Sequence, residues 1–279
     1  MSAVLNESAS ALANLVDLAR YPLLRAAERQ EFIAQCRAQL AAESCVALPG
    51  FVPGDVARMM AAEAAGVVPL THRRERMLSA YANNPAGEDV AADHPTKQLF
   101  AFRQHVVATD LLPGDGLIMS LYRQDALTAL IADILGQAPL YRTADELLSC
   151  TVTSMGDGDE HGWHFDSNDF VVSLLLQAPG QGGAFEFAPY IRGETEENFA
   201  AVSEVMQGRP DRVRVKPVDV GTLMIFCGRR ALHRVSRIEG QRTRLIALFC
   251  YDRRPGMQFP DSARSRAVGR TQSSPAAAR

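Results

Sequence analysis

Apolar residues recur at three- and four-residue intervals over residues 8–18 and 26–42, the spacing of a helix with one buried face. A short apolar run at 45–48, stopped by Pro49-Gly50, predicts a strand. Pro53-Gly54-Asp55 then leads into a predicted helix over 56–65. Residues 82–98 are polar and carry Pro85, Gly87 and Pro95, which reads as a surface loop or lid. Another helix is predicted over 121–135, closed by Gly136 and Pro139. The first 140 residues therefore read mostly as helix. From Ser149 the texture changes. Short β-rich runs at 150–155, 170–177, 184–190, 212–218, 222–226 and 244–251 alternate with Gly, Pro and Asp turns, which predicts a sandwich or barrel. A helix over 194–206 interrupts them. The stretch 262–279, rich in Ser, Ala and Arg, is expected to lack fixed structure.

Composition narrows the classes. With 47% hydrophobic and 22% charged residues in 279, the chain has enough apolar material for a real core. A formal net charge of -3 gives no general attraction to phosphate backbones or anionic lipid, so neither nucleic acid nor membrane is expected as a partner. The apolar stretches fall well short of the roughly 20 residues of a spanning helix. No basic segment precedes an apolar block at the N-terminus. The five cysteines are scattered without a C-x-x-C pair, which argues against a zinc knuckle or a disulfide framework. A cytoplasmic protein is expected.

The informative segment is His161-Gly162-Trp163-His164-Phe165-Asp166. In extended chain His164 and Asp166 point to one side and Phe165 to the other. They make two corners of a metal site. His233 is the candidate third ligand, because it follows a second apolar run (222–226) and the turn Gly228-Arg229-Arg230. Two imidazoles and one carboxylate on one face leave the opposite positions open, the facial triad of non-haem Fe(II) oxygenases. Such sites take 2-oxoglutarate, whose far carboxylate needs a cation. Arg244, eleven residues after His233, is the candidate anchor, and Arg242, two positions earlier, is its rival. Two other motifs fail. Asp157-x-Asp159-x-His161-Gly162 begins like a calcium loop, but its twelfth position is Asn168. Gly180-Gln181-Gly182-Gly183 opens no helix, so it is no phosphate cradle.

His164-x-Asp166, His233 and Arg244 in this order, with Gly182 to Phe187 and Asp219-x-Gly221 between, resemble the signature of the Fe(II)/2-oxoglutarate-dependent dioxygenases over roughly residues 149–257. The resemblance implies an α+β, mainly β fold, a double-stranded β-helix (jelly roll) flanked by N-terminal helices. It implies one domain over 1–261, with a helical part at 1–148 and the jelly roll at 149–257. It also implies Fe(II), 2-oxoglutarate and O2 as cofactor and co-substrates, with succinate and CO2 released as a C–H bond is hydroxylated. The run from His161 through Asp166 to Asn168-Asp169-Phe170 is similar to a bacterial subgroup that acts on free amino acids and includes carrier-free lysine halogenases. In those halogenases the triad carboxylate is replaced by glycine or alanine, which frees a position for chloride. Asp166 fills that position here, which argues for hydroxylation. His161 matches a substrate-contacting histidine of the subgroup, and Arg103 could grip a substrate carboxylate. The expected substrate is a small polar molecule, a free amino acid or derivative. The same chemistry on a carrier-bound, nucleotide or protein substrate, and a non-enzymatic cupin-like metal binder, stay open, as does a homodimer.

Overall fold

The structure is a computed structural model that describes residues 11–81 and 90–274. Eleven strands form one continuous antiparallel sheet. They are β1 (Cys45–Leu48), β2 (Arg73–Ser79), β3 (Leu99–Val107), β4 (Cys150–Met155), β5 (His161–His164), β6 (Val171–Gln177), β7 (Phe185–Ala188), β8 (Arg214–Lys216), β9 (Leu223–Phe226), β10 (Leu232–Val235) and β11 (Arg244–Phe249). The path runs β1-β9-β6-β11-β4-β3-β5-β10-β7-β8, and β2 pairs with β3 at its side. The sheet rolls over on itself. Phe185 and Phe187 of β7 meet Phe226 of β9 edge-on, at centroid distances of 5.0 and 5.8 Å, although the two strands are far apart along the path. This is the jelly roll expected from the sequence.

Among the described residues, six α-helices of more than one turn flank it: α1 (Ala26–Glu43), α2 (Gly54–Val67), α3 (Leu117–Tyr122), α4 (Asp125–Leu135), α5 (Phe199–Met206) and α6 (Asp261–Val268). Strand parity explains the long apolar runs. Val172, Leu174 and Leu176 of β6 join the core beneath the helices, with Met60 and Ala64 of α2 and Leu130 and Ile134 of α4. Ser173 and Leu175 point the other way, into the roll. Both faces are buried, so the strand reads as apolar almost throughout. Helix α4 stops at Gly136, whose φ of 64° is the left-handed cap that glycine adopts without strain.

Several expectations need correction. The first 140 residues are not mostly helical, because β1, β2 and β3 join the main sheet. Strand β2 escaped notice because its residues are half-exposed and mostly charged on both faces, so no alternation shows. The helix expected over 121–135 is two helices, α3 and α4, broken at Arg123-Gln124. Of the segment 8–18 only residues 11–18 are described, with a single helical turn at 11–13. In the expected lid at 82–98, residues 82–89 lie outside the described residues.

The tail differs most. Residues 262–279 were expected to lack structure, yet α6 forms and the chain is described to Ser274. Two buried aspartates hold it by long-range contacts. Asp145 Oδ2 accepts from the Phe259 N–H at 2.8 Å and from Arg264 Nε at 2.9 Å. Asp110 accepts from Arg270 Nη1 at 2.8 Å and Nη2 at 2.6 Å. All five cysteines are free. Among the described residues, no helix is long and apolar enough to cross a membrane.

Candidate metal centre

Strands β5 and β10 run antiparallel with His164 and His233 directly opposite each other. Cross-strand partners share a face, so the imidazoles meet, with ring centroids 3.9 Å apart. Asp166 follows His164 by two residues and returns to the same face. Its Oδ1 lies 3.6 Å from His164 Nε2 and its Oδ2 3.4 Å from His233 Nε2. One ligand atom from each of the three side chains falls within 4.8 Å of the others.

The backbone sets the tautomers. His164 Nδ1 lies 2.9 Å from the Gly162 carbonyl oxygen, and His233 Nδ1 lies 2.9 Å from that of Ala231. A carbonyl only accepts, so each Nδ1 carries the proton and donates, which leaves the Nε2 lone pair facing Asp166. Burial, with the neighbouring His164 imidazole, pushes His233 down to about 4, so its ring is neutral at pH 7. Burial alone would raise the Asp166 carboxyl; the facing His233 and His164 imidazoles outweigh it and hold it below the usual carboxylate range. Two lone pairs and a carboxylate therefore converge, and Asp166 Oδ2 is buried with no hydrogen-bond partner. Such a group is costly unless a cation sits among the three. The donor set and the orphaned oxygen fit a divalent metal of the kind bound by two imidazoles and a carboxylate.

Two glycines make the geometry possible. The Asp166 N–H donates to the Gly228 carbonyl at 3.1 Å. A Cβ at Gly228 would lie 1.7 Å from Asp166 Oδ2. A Cβ at Gly162 would lie 2.3 Å from the Phe100 Cβ, so β5 can cross β3 this closely only with glycine there.

Arg244 opens β11 and is buried, on the face of β11 that looks into the roll, since Leu245, Ala247 and Phe249 face the helices. Burial pushes its guanidinium down to about 10, still charged at neutral pH. Among the described residues no carboxylate pairs with it. Arg242 is exposed and precedes the strand, so the structure separates the two rivals by burial. His161 stacks on the His164 ring at 4.3 Å and 18° and lines the cavity in front of the triad.

Arg103 lies elsewhere. It sits on a strand, not in a helical region, and faces away from the cavity, held by Glu75 and Glu160 at 2.8 Å each. Its charge is spent on those carboxylates, so it offers nothing to a substrate. Its neighbours Phe102 and Gln104 have the opposite parity and do line the cavity. That cavity, of about 600 Å³, is open to His164 and Asp166. Arg74 and Arg76 of β2 and Arg266 of α6 also line it, none of them singled out from the sequence. The polar run Arg73-Arg74-Glu75-Arg76 was the available signal.

A sequence model of the family described as Halogenase D matches residues 28–265. The comparison with curated proteins returned no match. Among solved structures, the chain is similar to AviO1 from Streptomyces viridochromogenes Tue57, with a TM-score of 0.54 and 16% identity over 80% of this chain and 95% of that one. It is also similar to SnoK, a non-haem alpha-ketoglutarate-dependent carbocyclase from nogalamycin biosynthesis, with a TM-score of 0.54 and 17% identity over 78% of this chain and 82% of that one. The epimerase SnoN, in complex with Fe3+, alpha ketoglutarate and nogalamycin RO, gives a TM-score of 0.51 and 16% identity over 80% and 84%. At these identities the likeness is one of fold.

Proposed function

The chain belongs to the Halogenase D family, and on that premise we propose that it is an Fe(II)- and 2-oxoglutarate-dependent hydroxylase of a small molecule. The observation that carries this reading is the convergence of His164 Nε2, His233 Nε2 and an unpartnered Asp166 oxygen with no proton among them. These three side chains would hold the iron. Bound there, a ferrous ion would activate O2, the oxidant, one atom of which goes into the succinate formed as 2-oxoglutarate loses CO2 and the other into a substrate C–H bond. The chain's own part is to bind, orient and exclude water. The Gly162 and Ala231 carbonyls fix both imidazoles with Nε2 forward. Arg244, buried and without a carboxylate partner, takes the far carboxylate of 2-oxoglutarate. Phe102 and Phe226 stand edge-on to His164 and His233 and keep the surroundings apolar.

Hydroxylation is preferred to halogenation because Asp166 occupies the ligand position that the similar amino-acid halogenases leave to chloride. A purely structural metal binder has no use for an unpaired buried arginine such as Arg244, because stranding that charge is costly.

Anaerobic Fe(II) with 2-oxoglutarate should give a weak visible charge-transfer band, and His164→Ala should abolish it. A band that survives the substitution unchanged rejects the assignment. Arg244→Ala should weaken 2-oxoglutarate binding by about 100-fold, the scale of removing one partner of a buried charge pair. Arg242→Ala should change it less than about twofold, as expected for an exposed side chain. Titration of the band with 2-oxoglutarate reads both, and the reverse ranking moves the anchor to Arg242.

A further inference from the structure

Strand β2 sorts its charges by face. Arg73 and Glu75 point outward and are paired, Arg73 with Asp159 at 2.6 Å and Glu75 with Arg103 at 2.8 Å. Arg74 and Arg76 point into the cavity, and among the described residues neither has a carboxylate or hydrogen-bond partner. Helix α6 repeats the pattern. Arg264 is bound to Asp145, whereas Arg266 turns to the same cavity and, among the described residues, has no partner. The Nε of Arg74 is buried and unbonded. Gln104, only 5% exposed, aims an unpartnered Oε1 into the same space, and its amide nitrogen is available as a further donor. Burial, with Arg76 and Arg266 as like-charged neighbours, pushes Arg74 down to about 10, so it still carries its charge at neutral pH.

Against these three guanidinia, the only acidic residue lining the cavity among the described residues is Asp166, and its oxygens face the two histidines. Among the described residues lining the cavity, a zwitterionic amino acid would find cations for its carboxylate but no free carboxylate for its ammonium. The charge balance asks for a ligand that brings more than one negative charge and no positive one. The arginines converge from two directions, with Arg74 and Arg76 side by side on β2 and Arg266 facing them from α6, so the charge belongs on one head group. A phosphate monoester carries close to two charges at pH 7 and three terminal oxygens, which guanidinium forks match. The cavity is also lined by Phe102, Phe165, Leu148 and Met257, apolar side chains that suit an organic body held towards the metal ligands.

We propose that Arg74, Arg76 and Arg266 form an anion subsite that selects a small phosphate monoester as the substrate of the oxygenase. This rests on the reading of the triad as an iron site. It makes Arg74 and Arg266 specificity-determining residues for that reaction.

The test is equilibrium binding of phenyl phosphate to the full chain, with isophthalate and phenylalanine as comparison probes, beside the anaerobic Fe(II)/2-oxoglutarate band measured without probe. Phenyl phosphate should bind saturably and at least tenfold more tightly than either comparison probe. Arg74→Gln and Arg266→Gln should each weaken it at least tenfold and leave the band in place. Arg266 is exposed on a surface helix, so its substitution separates lost binding from lost folding. Phenylalanine or isophthalate binding more tightly than phenyl phosphate overturns the proposal, as does phosphate binding that is indifferent to both variants. If the band forms but phenyl phosphate does not bind, the subsite is wrong and the iron site stands. If phenyl phosphate binds through the arginines and no band forms, the subsite stands and the iron reading fails.

Discussion

Gly228→Ala should cost about 100-fold or more in metal affinity while leaving the fold intact. The added methyl has nowhere to go, because its carbon would lie 1.7 Å from Asp166 Oδ2 and 2.6 Å from Cγ. Either the carboxylate swings out of the triad or the Cys227–Gly228 turn retreats, and both change the distance from Asp166 to His233. Disturbing only the groups that orient a ligand commonly costs 10–100-fold, and this change displaces the ligand itself. Gly66→Ala in α2 is the control, since nothing lies within 4 Å of its Cβ and an alanine in a helix is stabilising by roughly 0.5–1 kcal/mol. Metal titration beside thermal unfolding reads both variants. Undiminished affinity in Gly228→Ala would mean that Asp166 does not need its present position to bind metal.

The second large effect is on stability. Asp145 is 2% exposed and answers four donors: the Leu147 and Leu148 N–H groups at Oδ1, and the Phe259 N–H and Arg264 at Oδ2. Asp145→Ala strands the three backbone donors and leaves Arg264 only Asp261 and Gln258, which costs about 3–5 kcal/mol, the scale of a buried pair broken on one side. In a chain of this size that corresponds to a fall in Tm of roughly 6–20 °C. Acid should act in the same direction. Burial raises the Asp145 carboxyl, but its backbone hydrogen bonds and Arg264 prevail and hold it below the ordinary value. The contribution is therefore present above the unfolded-state pKa of about 3.9 and is lost as pH falls through the lower folded value. Urea unfolding of wild type and variant at neutral and acid pH measures it. The gap between them should close in acid, and a constant gap would assign the loss to packing instead.

The three side chains of the candidate metal centre stand out in the sequence because they are chemically distinctive and two of them keep the period of a strand. The register that places His233 opposite His164 was not, because β5 and β10 are only four residues each and carry no run long enough to declare themselves. Arg103 shows how a one-residue error in parity misleads. The side chains at 102 and 104 face the cavity, and the one between them faces two glutamates. Strand β2 was hidden for a different reason. Two of its inward positions, Arg74 and Arg76, are arginines and only Leu78 is apolar, so hydrophobic periodicity carries almost no trace of it. The tail was misread because its stability comes from Asp110 and Asp145, more than a hundred positions earlier, and composition says nothing about such partners. Strand spacing from Ser149 onward pointed only to a sandwich or barrel, since Gly and Pro turns mark those β runs; the jelly roll came from the resemblance.

Residues 257–267, which wall one side of the cavity, follow every strand of the sheet in chain order. A polypeptide emerging from the ribosome completes its barrel and presents all three metal ligands before that wall is synthesised. A product of interrupted translation that stops short of Phe259 would keep the ligands but leave them on an open face. Completion of the cavity therefore turns on residues 257–267, far more than their plain composition suggests.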